Sequence, residues 1–176
     1  MQFIFKSPTI FRWTMSWYPP YWGTGIWVTK VANDFRRVQV QMHSTFYNTN
    51  VFGSHFGGSL ASMSDPFYAL MLTKLLGHRY QVIDAATQIQ FIAMAKGTVT
   101  ADFQLDDTIL NRIREKTSTG DKHHETFTVE IVDEEGRVVT SVEKTIYMRL
   151  KRHARNELQK RFNGTDDLLP SRRSRL

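Results

Sequence analysis

Only one stretch of this chain has the three–four apolar spacing of a long buried helix, and it stands among six stretches that alternate with period two. Leu60, Met63, Phe67, Leu70, Met71 and Leu75 keep the helical spacing from Gly58 to about Leu76, so one broad face is buried. Gly77 follows as a C-terminal cap. One helix cannot cover both faces of a six-stranded sheet. The sheet must wrap around the helix and leave an outer face for a partner. The expected class is α+β.

The strand from Arg36 to Phe46 is the cleanest. Val38, Val40 and Met42 alternate with Gln39, Gln41 and His43, as on a half-buried antiparallel strand. Gly25 to Ala32 precedes it across the turn Asn33-Asp34. After the helix, Ile83, Ala85, Ile89, Phe91 and Ala93 are read as one face, with Asp84, Gln88 and Gln90 on the other. Lys96-Gly97 reads as a tight hairpin turn into Val99, Ala101, Phe103 and Leu105. Asp106 or Asp107 caps a short helix, and a last hairpin turns at Glu134-Glu135-Gly136.

A chain of 176 residues that is 41% apolar supports one domain with an ordinary core. The absence of cysteine excludes disulfides, thiolate metal sites and a cysteine nucleophile, and it fits a reducing compartment. No apolar run reaches the roughly 18 residues that span a bilayer, and Met1 to Lys6 lacks a signal-peptide pattern. The expected localisation is cytoplasmic, with no integral membrane segment.

The net charge of +6 is concentrated in one place: residues 149–176 hold nine Lys/Arg against three acids, and the rest cancels. A basic groove built into the fold is not supported, so no nucleic acid is expected as a partner. Nucleic-acid binding through the tail alone would require affinity that falls steeply with salt. Three regions follow: an aromatic segment at 1–23 with a short helix starting at Ser7-Pro8, the domain at 24–150, and a basic, mostly disordered tail at 151–176. All four tryptophans lie in the first 27 residues. Their segment is read as a cover for the sheet or for another subunit. A membrane-surface anchor is less favoured, because only Lys6 and Arg12 are basic there.

The segment Asn50-Val-Phe-Gly53-Ser-His55-Phe-Gly57-Gly58 leads into the helix, with Asp65 about two turns inside. Adjacent glycines at a helix start leave backbone N–H groups open to a carbonyl oxygen, and the helix dipole adds positive potential there. Such a turn can build an oxyanion hole. Taken alone, Gly-Gly is equally good turn chemistry. No GxGxxG, Walker A, GxSxG or HExxH spacing occurs. His123-His124 with Asp121 reads as a polar loop rather than a metal site.

Through Asn50, Gly53, Gly57-Gly58, Asp65 and the strand from Val82 to Met94, residues 24–149 resemble the hotdog-fold thioesterase superfamily, in particular its phenylacetic-acid-degradation type. Phe56-Gly-Gly-Ser-Leu60 and Ser64-Asp-Pro66 bring the likeness closest to a thioesterase-like subfamily of unknown function. The resemblance implies an antiparallel sheet of five to six strands wrapped around one long central helix. It also implies a homodimer or homotetramer with acyl-thioester sites at the subunit interface. The substrate would be an acyl-CoA or acyl-carrier thioester. No cofactor or metal is implied, and coenzyme A enters as part of the substrate. By position, Asp65 would be general base or nucleophile, the Gly57 N–H would polarise the carbonyl, and Asn50 would hold the carbonyl or the water. Asp84 stands where the family often has Ser or Thr. His55, Phe56, Gly58 and Ser59, around the same turn, are assigned to substrate binding.

Three residues depart from that pattern. The family's His-Gly-Gly is here Phe56-Gly57-Gly58, with His55 one residue early. Asp84 adds a second carboxylate, which raises one pKa if the two lie close. Pro66 either kinks the helix and re-aims Asp65, or starts a new helix with Asp65 as its N-cap. Asn50 also fits an ordinary turn residue, and Asp84 an ordinary exposed strand acid. The missing histidine and the Asp84 substitution keep a non-catalytic acyl-CoA or lipid-binding protein open as the alternative. A hydratase lacks its usual His/acid pair.

Overall fold

The computed structural model describes residues 2–157, so most of the predicted tail lies outside the described residues. Ser7 Oγ accepts the N–H of Ile10 and Pro8 takes the first helical position, which starts α1 (Pro8–Ser16). Pro19-Pro20 ends that run and opens a single turn, α2 (Pro19–Trp22). β1 (Ile26–Val31) and β2 (Arg37–His43) then pair as a hairpin, with Val38, Val40 and Met42 wholly buried as the alternation requires.

The central helix occupies residues 57–76 in two pieces, α3 (Gly57–Ser64) and α4 (Phe67–Leu76). The break has a local cause. Pro66 has no N–H to give the preceding turn, and it pushes the residue before it out of the helical region. Asp65 is accordingly extended (φ −110°, ψ 135°) and caps the end of α3. No side chain caps the start of α4, so Asp65 is not its N-cap. Leu60, Met63, Phe67, Met71 and Leu72 of the two pieces are buried in the core.

The remaining elements are β3 (Tyr80–Phe91), β4 (Thr98–Gln104), α5 (Asp107–Lys116), β5 (His123–Val132) and β6 (Val138–Leu150). Asp106 Oδ1 accepts the N–H of Ile109 and starts α5. All six strands form one antiparallel sheet in the order β1-β2-β4-β5-β6-β3, wrapped around the central helix. No described helix is long and apolar enough to cross a membrane.

Two expectations about β3 need correction. It does not form a hairpin with β4: it pairs only with β6, at the far edge of the sheet, while β4 lies between β2 and β5. Gly97, at φ +64°, turns a crossing segment rather than a hairpin. Nor do Ile83 and Ala85 share a face with Ile89 and Phe91. A bulge between Asp84 and Ala86 inserts one residue, so Val82 and Asp84 turn inward before it and Ile89 after it. Ile83 is left exposed.

One seam in the sheet is thin. β2 and β4 share seven residue pairs and β5 and β6 share ten, but β4 and β5 share two, Thr100–Val132 and Ala101–Ile131. Tyr68 of α4 spans it: its ring packs 5.2 Å from Phe103 of β4 and 4.6 Å from Phe127 of β5, and its hydroxyl donates to Thr128 O at 3.1 Å.

Candidate active site

The loop before α3 is held by Asn50. Its Oδ1 accepts the N–H groups of Phe52 and Ser54, and its Nδ2 donates to Ser54 Oγ at 3.0 Å and His55 O at 3.3 Å. The Asn50 amide therefore knits its own turn. His55 points inward and is 2% exposed, with Nε2 2.9 Å from Gly97 O and 3.2 Å from Ser44 Oγ. Because the Gly97 carbonyl only accepts, Nε2 carries the proton, and Nδ1 is a buried lone pair without a partner among the described residues. Burial lowers the His55 pKa; the Gly97 bond opposes this and His43 adds to it. The ring is neutral near pH 7.

Phe56 precedes α3 without capping it, and the N–H groups of Gly57 and Gly58 take no acceptor among the described residues. A Cβ at Gly57 would stand 3.1 Å from the Phe91 ring, and one at Gly58 would run into the Phe56 ring. Two aromatic rings thus lie directly on the helix start, which only glycines permit. Ser59 is buried in the first turn. Asn50, His55, Gly57 and Leu60 on one side and Phe91 and Met94 on the other line a cleft of about 420 Å³.

Asp65 lies eight residues further along, about 12 Å at 1.5 Å per residue, and lines no part of that cleft. Its Oδ1 accepts from Lys144 Nζ at 2.8 Å, and Asp84 Oδ1 lies 3.0 Å from the same ammonium. The Asp84 contact is an ion pair whose angle falls short of a hydrogen bond. The two carboxylates are thus close, as the sequence allowed, but a cation stands between them. Lys144 is 3% exposed, against 56% for the Asp65 side chain. Burial alone would lower the Lys144 pKa, yet the two carboxylates of Asp65 and Asp84 outweigh this and the net shift is upward. The lysine remains an ammonium, and the second Asp65 oxygen is left without a partner among the described residues.

Tyr21 of α2 closes the cluster from the N-terminal side. It is 2% exposed, packs 5.7 Å from Phe67, and its hydroxyl has no partner among the described residues. Burial, then the charges of Asp65, Tyr18 and Asp84, raise its pKa, so it remains a phenol able to donate. Sequence reasoning named neither Lys144 nor Tyr21. The structure brings Asp65 and Asp84 together, but within one chain it keeps them apart from Asn50, His55, Gly57 and Gly58. His123, read as part of a polar loop, begins β5 and pairs with Glu125 at 2.8 Å.

A family model described as a domain of unknown function (DUF4442) matches residues 8–148. Among solved structures, a Pseudomonas aeruginosa protein described as a probable thioesterase superposes with a TM-score of 0.72 at 19% identity, covering 82% of this chain and 97% of that one. The PaaI protein of the Escherichia coli phenylacetic acid degradation operon gives 0.57 at 18%, covering 78% and 88%. A Haemophilus influenzae thioesterase gives 0.58 at 14%, covering 80% and 90%. No curated protein matches the chain in sequence. These likenesses establish the hotdog fold.

Proposed function

This chain belongs to the DUF4442 family, and from that premise we propose that it hydrolyses an acyl thioester, of coenzyme A or of an acyl carrier, at a site shared by two copies. The observation that carries the reading is the N–H of Gly57, which lines the cleft, with that of Gly58 next to it, both without an acceptor among the described residues. They are aimed as donors to a carbonyl oxygen that gains negative charge.

Asp65 supplies the base. Lys144 holds one of its oxygens and the other is open to water. Water attacks the thioester carbonyl as Asp65 takes its proton; the C–S bond then breaks and the proton passes to the leaving thiolate. The products are a carboxylic acid and a thiol. The roughly 12 Å between Gly57 and Asp65 along one helix is why two copies are invoked, so that the donor of one chain meets the carboxylate of the other. β3 has a free outer edge flanked by exposed Ile83, Phe91, Ile92 and Met94, which suits pairing with a second chain.

A panel of acyl-CoAs, scored by thiol release, tests this with Asp65→Asn in parallel. Release that falls about a hundredfold or more in the variant, with the fold intact, supports it. Full activity in Asp65→Asn would falsify the role given to Asp65. A second reading, acyl binding without turnover, is favoured by one observation: Lys144 already engages the Asp65 carboxylate. It predicts acyl-CoA binding with no thiol release from any substrate.

A further inference from the structure

We propose that the aromatic face formed by Trp13, Trp17, Trp22 and Trp27, with Arg12 and Lys30 beside it, docks the protein on an anionic phospholipid surface. A folded chain seldom leaves every tryptophan in water, yet Trp13, Trp17 and Trp22 are each more than half exposed and Trp27 more than a third. Trp13, Trp17 and Trp27 are also held together. Trp13 of α1 stands one turn before Trp17, the residue that caps that helix, Trp17 meets Trp27 of β1 edge-on at 6.1 Å, and Trp22 ends the neighbouring turn α2.

The charge beside this face has one sign. Residues 1–33 contain Lys6, Arg12 and Lys30 and no acid at all. Arg12 and Lys30 have no acidic partner among the described residues. They line a cleft of about 510 Å³ with Thr9 and Thr29. Thr9 lies one turn before Trp13, and Thr29 two residues after Trp27 on the same strand, so the cleft runs into the aromatic face. Lys30 is the base that the N-terminal segment by itself lacks; the fold brings it there from β1.

Tryptophan beside lysine or arginine is the composition of a protein surface that rests at the water–lipid boundary. The indole has an apolar body with one N–H donor, and the cations meet lipid phosphates. A second copy of the chain fits less well. A two-fold contact sets the same patch against itself, which would bring the bases of one copy onto a surface that has bases and no acid to offer them. The docking does not depend on thioester hydrolysis.

The full chain should be mixed with vesicles of phosphatidylcholine, and of phosphatidylcholine with about one third phosphatidylserine, and sedimented. Binding should favour the anionic vesicles, weaken with salt, and shift tryptophan emission to the blue. Trp13→Ala/Trp17→Ala should lower the affinity about tenfold or more, and Arg12→Gln/Lys30→Gln should remove the preference for phosphatidylserine. Brominated acyl chains should quench emission in the unaltered protein, a reading that no misfolded variant affects. Absent quenching, no sedimentation with either vesicle, or undiminished binding by the tryptophan variant would overturn the proposal. So would a fall in molar mass of that variant in light scattering, which would assign the face to a second copy.

Discussion

Exchanging Asp65 for asparagine keeps the shape of the side chain and removes its charge, so it separates chemistry from packing at the cluster. Lys144 calls for a different pair of variants. Lys144→Met leaves two carboxylates facing each other without a cation, and it should cost about 1–3 kcal/mol of stability in denaturant unfolding. Lys144→Arg, which keeps the charge, should recover most of that loss. The pH dependence has a definite sign. The folded chain holds the Lys144 proton more tightly than the unfolded one, so its contribution is full below the ordinary value of 10.5 and is lost as pH rises through the higher folded value. His55 acts in the opposite direction. Its pKa falls on folding, so melting temperature should drop as pH falls below about 6.5, and His55→Gln should flatten that limb. The sequence carried one sign of Lys144. In β6 the inward series Val142, Ile146, Met148 skips position 144, and a charged residue at a buried step calls for an acidic partner. Which acids it meets was not legible, since Asp65 lies 79 residues away and is aimed by the break at Pro66.

At the level of the elements, the start of α3 and the edge of β3 can each be tested by one substitution. Gly57→Ala suits a helical backbone but presses on the Phe91 ring. Stability should change by less than about 1 kcal/mol, while kcat/KM for a hydrolysed acyl-CoA falls; adding Phe91→Ala should restore part of it. Ile83→Lys places a charge at the edge of β3, and light scattering should then report a smaller species than for the unaltered chain. Element types were readable because period two and the three–four spacing follow from burial on one face. The two errors about β3 have separate local causes. A bulge adds one residue without any mark in an alternating sequence, so the faces exchange at Ala85. A Gly-containing link between two strands is equally consistent with a hairpin and with a crossing, and only the fit of β3 against β6 decides between them.

Across the whole molecule, a sheet wrapped around one helix was legible because one buried helix among six alternating strands allows few arrangements, and the hotdog fold was legible only through the resemblance carried by Asn50, Gly57-Gly58 and Asp65. The division of the cluster from the cleft was not, since it depends on where along the helix each residue falls. The thin seam between β4 and β5 has a mechanical meaning. The sheet is two three-stranded leaves, β1-β2-β4 and β5-β6-β3, bound along a short spine, with Tyr68 as the stitch through both. Amide hydrogens of β4 and β5 beyond the two shared pairs should exchange with deuterium before those at the β5–β6 and β2–β4 contacts, and Tyr68→Ala should hasten them further. Two leaves joined along so short a spine have a single hinge line, and Tyr68 is the pin set through it.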